Sequence, residues 1–147
     1  FLSARLEHVE QPSESELNAA QYLAGLAYQE GDLPGAERYY RMILGWRPDD
    51  PEAQNNLAWL LVTKPDAGPE HLREGLRLAE RASEQRQAAY IWDTLAEAYF
   101  RSREFIKAEA AADMALRLAE GGHERGGESV DYYRDRWKSL SHPRKEG

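Results

Sequence analysis

The hydrophobic and polar positions of this chain repeat at helical spacing. Three segments align: Tyr22-Leu23-Ala24-Gly25-Leu26-Ala27-Tyr28, Asn56-Leu57-Ala58-Trp59-Leu60-Leu61-Val62 and Thr94-Leu95-Ala96-Glu97-Ala98-Tyr99-Phe100. Leu23 and Leu57 lie 34 positions apart, and Leu57 and Leu95 lie 38 apart. Behind each segment runs a second one with small or apolar residues at i, i+4 and i+7: Ala36, Tyr40 and Ile43; Gly75, Ala79 and Ala82; Ala108, Ala112 and Ala115. That spacing puts each trio on one helical face, and the small first residue lets a neighbouring helix come close. The pattern predicts three helix pairs. Two further amphipathic stretches flank them. Val130, Tyr133, Trp137 and Leu140 make a stripe within 128–141, and Phe1, Leu2, Leu6 and Val9 make a shorter one at the start.

Local punctuation fits this register. Ser13-Glu14-Ser15-Glu16 reads as a capping box after Pro12. Asp50 before Pro51 reads as an N-cap followed by proline at the first helical position, and Pro69 suits the same place in the next helix. Gly121-Gly122 closes the last repeated helix.

Composition narrows the fold class. The 147 residues include 21 Ala and 17 Leu against 3 Val, 3 Ile and 2 Thr. Helix formers dominate and strand formers are scarce, so an all-α fold is expected. The absence of cysteine removes disulfides, thiolate metal sites and a cysteine nucleophile, and is silent on compartment. No apolar run approaches the ~18–20 residues of a membrane span, and no signal peptide is visible. A soluble chain is expected, with the cytoplasm favoured over the periplasm. Phe1 stands where an initiator methionine would, so the chain is expected to be a piece of a longer protein.

The recurring order of a large residue, Leu, a small residue, a Gly-Asp turn, Ala, an aromatic, Ala and Pro resembles the tetratricopeptide repeat (TPR), a helix–turn–helix of ~34 residues. Leu23, Ala24, Ala27, Gly31-Asp32, Ala36, Tyr40, Ile43 and Pro48 carry it first; Trp92, Leu95, Ala96, Tyr99, Ala108, Ala112 and Ala115 carry it last. The middle unit has the Asn-Asn-Leu-Ala-Trp-Leu-Leu helix of bacterial members and five extra residues in its turn, where Lys64 to Pro69 replace Gly-Asp. Arg103 stands where the family prefers Gly. The resemblance implies a right-handed α-solenoid: TPR 1 over 13–50, TPR 2 over 51–87 with inserted loop 64–69, and TPR 3 over 88–120. Residues 121–147 then hold a loop, a capping helix over 128–141 with a solvated polar face, and a basic tail. Residues 1–12 form an N-terminal helix or the stump of a preceding repeat.

Function in such a stack is expected on the groove built by the first helices. Carrying over the family's groove positions gives Asn18, Gln21 and Tyr28, then Glu52, Asn55, Trp59 and Val62, then Tyr90, Asp93, Glu97, Phe100 and Arg101. Amides and carboxylates that hydrogen-bond a peptide backbone alternate there with aromatic faces. Aromatics at helical spacing more often fill cores, and Tyr28, Trp59 and Phe100 are read that way first, Tyr90 less so. Family members that clamp a partner's terminal carboxylate do so with Lys, Asn and Arg. Here those positions hold Gln21, Gly25, Asn56, Tyr90 and Thr94, and only the asparagine matches. No carboxylate clamp is expected, and neutral or basic ligands are favoured over acidic ones.

Catalytic signals are weak. His8, His71, His123 and His142 are scattered, and His123 beside Glu120 and Glu124 reads as a solvated loop. The glycines at 121–122 and 126–127 follow a helix rather than linking strand to helix, so no phosphate cradle is expected. No enzyme activity, cofactor or metal is expected. The net charge of −7 divides into −10 over residues 1–131 and +3 over 132–147, which disfavours nucleic acid as partner. The basic end reads as solvated rather than as a contact for an anionic partner. The chain is thus expected to be a protein-interaction scaffold that binds a peptide or partner helix within a larger bacterial protein. The alternatives are an oligomerisation element stacking end helices through Phe1, Leu2, Leu6 and Val9, or an accessory domain of an enzyme.

Overall fold

In a computed structural model, which describes residues 2–122 and 128–141, the chain is all-helical, with eight helices in the described residues. A short α1 (Leu2–Leu6) precedes three antiparallel pairs: α2 (Glu14–Gln29) with α3 (Leu33–Trp46), α4 (Pro51–Thr63) with α5 (Pro69–Gln85), and α6 (Ala89–Arg101) with α7 (Phe105–Glu120). The last helix, α8 (Val130–Ser141), packs on α7 and touches α6, the place that the first helix of a further unit would take.

The helix starts follow local chemistry. Ser13 and Glu16 close a capping box: the Glu16 carboxylate accepts from the Ser13 N–H at 2.8 Å and Ser13 Oγ accepts from the Glu16 N–H at 3.3 Å. Asp32 and Asp50 each accept from the backbone N–H three residues on, at 3.0 Å. Pro69 belongs to α5, so the connection after α4 is residues 64–68. There His71 Nδ1 accepts from the Gly68 N–H at 3.0 Å, which gives this histidine a capping role.

The α2–α3 and α6–α7 turns have the same backbone path. Gly31 has φ 78° and Arg103 has φ 64°. In each turn the next residue's N–H reaches back five positions, Asp32 to Ala27 and Glu104 to Tyr99. Arg103 therefore makes the tight turn in the left-handed conformation that glycine adopts without steric cost.

The packing faces named by the repeat spacing are the buried ones. Ala36, Tyr40 and Ile43, Gly75, Ala79 and Ala82, and Ala108, Ala112 and Ala115 all lie inside. Gly75 marks the closest approach, because a Cβ there would stand 2.5 Å from Val62 Cγ1 and 3.2 Å from the Ala58 carbonyl oxygen. Val62 is fully buried against it, so this residue belongs to the core rather than to the groove.

Within the N-terminal stripe, Leu6 is not free to meet a second copy. Leu6 is 1% exposed and packs with Ala20, Ile43 and Ala53, while Trp46 Nε1 donates to the Val9 carbonyl oxygen at 2.8 Å. Residues drawn onto the first unit cannot also present an apolar face to a second copy, which corrects the oligomerisation reading for Leu6. Phe1, the Leu2 side chain, His123, the glycines at 126–127, His142 and the tail from 142 onward lie outside the described residues. No helix among the described residues is long and apolar enough to cross a membrane.

Candidate functional site

The first helices of the three units, joined by α8, share one face of the stack. A cavity of about 220 Å³ opens there, lined by Tyr28 of α2, Asn55 and Trp59 of α4, Tyr90 and Asp93 of α6, and Tyr132 of α8. Two of its aromatics hold each other across helices, Trp59 Nε1 donating to Tyr28 Oη at 3.2 Å. Tyr28 is 40% exposed and Trp59 half-buried, so Tyr28 borders the cavity from outside the core. Phe100 does pack inward, half-buried beside the main core and edge-on to Phe105 at 5.4 Å. Tyr90 is half-buried, and its hydroxyl and Arg86 both bind the Glu52 carboxylate.

The acidic residues of α6 are not open to solvent. Asp93 and Glu97 are 5% and 6% exposed, and Arg136 of α8 joins them. Its Nε donates to Asp93 Oδ1 at 2.8 Å and its Nη2 donates to Glu97 Oε2 at 2.7 Å. The Tyr132 hydroxyl donates to Asp93 Oδ2 at 3.1 Å, and Arg101 Nε donates to Glu97 Oε1 at 2.7 Å. The Arg136 guanidinium also lies 5.8 Å from the centre of the Trp59 ring, so one side chain of α8 touches both α4 and α6.

The two carboxylates respond differently. Burial pushes Asp93 above its ordinary value, and the Arg136 charge only partly offsets that. Burial is also the largest influence on Glu97, but Arg136 and Arg101 together outweigh it and hold Glu97 below the ordinary range. The Tyr132 hydroxyl, half-buried and beside Asp93, is raised to about 12 and remains a donor at neutral pH.

The structure thus gathers Tyr28, Asn55, Trp59, Tyr90 and Asp93 around one cavity. Gln21 and Glu52 line a neighbouring recess with Asn56, while Asn18, Glu97 and Arg101 line neither. Three lining or linking residues are not groove candidates on sequence: Tyr40, Tyr132 and Arg136. The repeat spacing puts Tyr40 on the core face, and it also borders the cavity from α3. Tyr132 and Arg136 sit one turn apart beside the Tyr133–Trp137 stripe, a spacing that would have marked a second working face. Asp131, Asp135 and Lys138 of α8 are exposed, while Arg136 turns from that polar face to the carboxylates of α6. A wider cleft of about 630 Å³ lies on the opposite face of α6, bordered by Glu80, Trp92, Tyr99, Lys107 and Met114. Among the described residues, no three His, Cys, Asp or Glu side chains are grouped to hold a metal ion.

No protein-family model and no curated protein sequence matches this chain. Among solved structures it is similar to the TPR2B domain of yeast Sti1, described in its complex with pHsp70. The TM-score is 0.71 at 19% sequence identity, over 87% of this chain and 98% of that one. The fold is that of a TPR domain of about three repeats with a C-terminal capping helix.

Proposed function

We propose that this chain is a protein-interaction module, without catalysis of its own, that holds a peptide or helix of a partner on the face shared by α2, α4, α6 and α8. The observation that carries the reading is the cavity on that face, where aromatic rings from five helices surround hydrogen-bonding side chains. Such a mixture suits an extended segment or an amphipathic helix, with rings for side chains and amides for the backbone. The likeness to a domain described with pHsp70 supports a protein partner by analogy of fold.

The charge of the ligand follows from the side chains present. The positions at which a carboxylate clamp needs cations hold Gln21, Gly25, Asn56, Tyr90 and Thr94. Arg136 is engaged by Asp93 and Glu97, and Arg86 by Glu52. A free carboxylate finds no uncommitted cation among these residues, so neutral or basic segments are favoured.

Selection of random peptides on the full chain tests this, with a Tyr28→Ala/Trp59→Ala variant as counter-screen. Neutral or basic peptides that lose binding to the variant are expected. Peptides that bind the variant equally well, or that bind more tightly as a free C-terminal acid than as the amide, would contradict the reading.

A further inference from the structure

The central cavity is chemically more specific than a general peptide groove. Tyr28, Trp59, Tyr90 and Tyr132 border it, and among the described residues no lysine or arginine lines it. Its polar side is biased toward acceptance: Asp93 and Glu128 both line it, and so does Asn55, which is 6% exposed. The Asn55 carboxamide oxygen is buried without a hydrogen-bond partner. A buried acceptor left unmatched is a standing free-energy cost that a donor from a ligand would relieve. Aromatic faces attract cations through their quadrupole, and the Trp59 ring already has the Arg136 guanidinium over it.

We propose that this cavity receives a lysine side chain of the bound partner. Its methylenes lie against the rings and its ammonium takes counter-charge from Asp93 and Glu128, while a turn of the Asn55 carboxamide, whose oxygen is closed off in the unliganded chain, brings Oδ1 to meet it. The inference rests on the groove reading given above. Lysine fits better than arginine for a countable reason. Both Asp93 oxygens already accept, from Arg136 and Tyr132, which leaves Asn55 Oδ1 and the Glu128 carboxylate as the acceptors for a ligand. A compact ammonium can be satisfied by few partners, whereas a guanidinium brings five N–H donors in a fixed plane. An anionic side chain would meet two carboxylates.

The test is titration of the isotope-labelled full chain with Nα-acetyl-lysine methylamide, read at the side-chain N–H resonances of Asn55 and Trp59. The norleucine, Nε-acetyl-lysine and arginine counterparts serve as comparisons. Saturable shifts at both residues are expected, at least about tenfold weaker for the norleucine and acetylated forms. Asn55→Ala should abolish the preference for lysine, and its unfolding midpoint, checked alongside, separates that loss from a loss of fold. Glu128→Gln, at an exposed position, should weaken the preference. Equal binding of the norleucine form, or no saturable shift at those two residues, would overturn the proposal. Peptides selected on the groove separate the two readings. If they bind undiminished after lysine-to-norleucine exchange, the lysine site fails and the groove stands. If the lysine amide binds in the cavity but no peptide binds the face, the groove reading fails instead.

Discussion

Replacing Arg136 with alanine would leave two carboxylates, Asp93 and Glu97, buried without the guanidinium that joins them. Breaking a buried pair from one side typically costs about 3–5 kcal/mol, since the remaining charge keeps its desolvation penalty. Arg136→Ala should lower stability by about that much in urea unfolding, and a loss below about 1 kcal/mol would contradict the pairing. The two carboxylates also predict opposite effects on acid stability. Glu97 has its folded value depressed, so its contribution is complete above its unperturbed 4.5 and is lost as pH falls through the lower folded value. Asp93 has its folded value raised above 3.8, so the fold takes up its proton more readily than the unfolded chain does. Its ionised form opposes folding at neutral pH, and that opposition disappears on acidification. Glu97→Gln should therefore flatten the acid limb of the stability–pH curve, and Asp93→Asn should steepen it. Equal slopes in both variants would show that the two groups share one environment.

At the scale of the helices, most of the architecture was legible because its causes are local. A capping box, an Asp-Pro start and a small residue at one position per pair act within a few residues of themselves, and each appears in the structure where the sequence put it. The close approach at Gly75 yields a sharp contrast. Alanine there would gain about 1 kcal/mol of helix propensity and lose about 1–3 kcal/mol to overpacking against Val62 and the Ala58 carbonyl, so Gly75→Ala should lower the melting temperature. Gly25 lies inside α2 with nothing within 4 Å of an added Cβ, so Gly25→Ala should raise stability by about 0.5–1 kcal/mol. A higher melting temperature for both would mean that the α4–α5 contact is loose. What the sequence concealed were contacts without a local cause. Arg136 meets Asp93 across 43 residues, and the meeting depends on how α8 is rotated on α7. The stripe of Tyr133, Trp137 and Leu140 fixes that rotation, but nothing near Arg136 says that its neighbour will be acidic rather than water. Val62 was misplaced for a related reason: its position along α4 suggested the groove, and only Gly75 on α5 shows that a neighbouring helix covers it.

For the whole molecule, the two ends of the stack do different work. At the start, Leu6 is buried among Ala20, Ile43 and Ala53. Leu6→Glu places a carboxylate in that apolar site and should destabilise the chain by about 2 kcal/mol or more, without a change of mass in light scattering. Loss of a dimer with stability unchanged would restore the self-association reading. At the other end, α8 completes the shared face by giving Tyr132 to the cavity and Arg136 to the acids of α6. The central claim is that a partner's segment lies on this face, across α2, α4, α6 and α8. The most direct measurement is the set of backbone and side-chain resonances that shift when a selected peptide saturates the labelled chain. Shifts centred on Tyr28, Asn55, Trp59 and Tyr132 are expected. Shifts centred on Trp92, Tyr99 and Met114, in the cleft on the opposite face of α6, would contradict it.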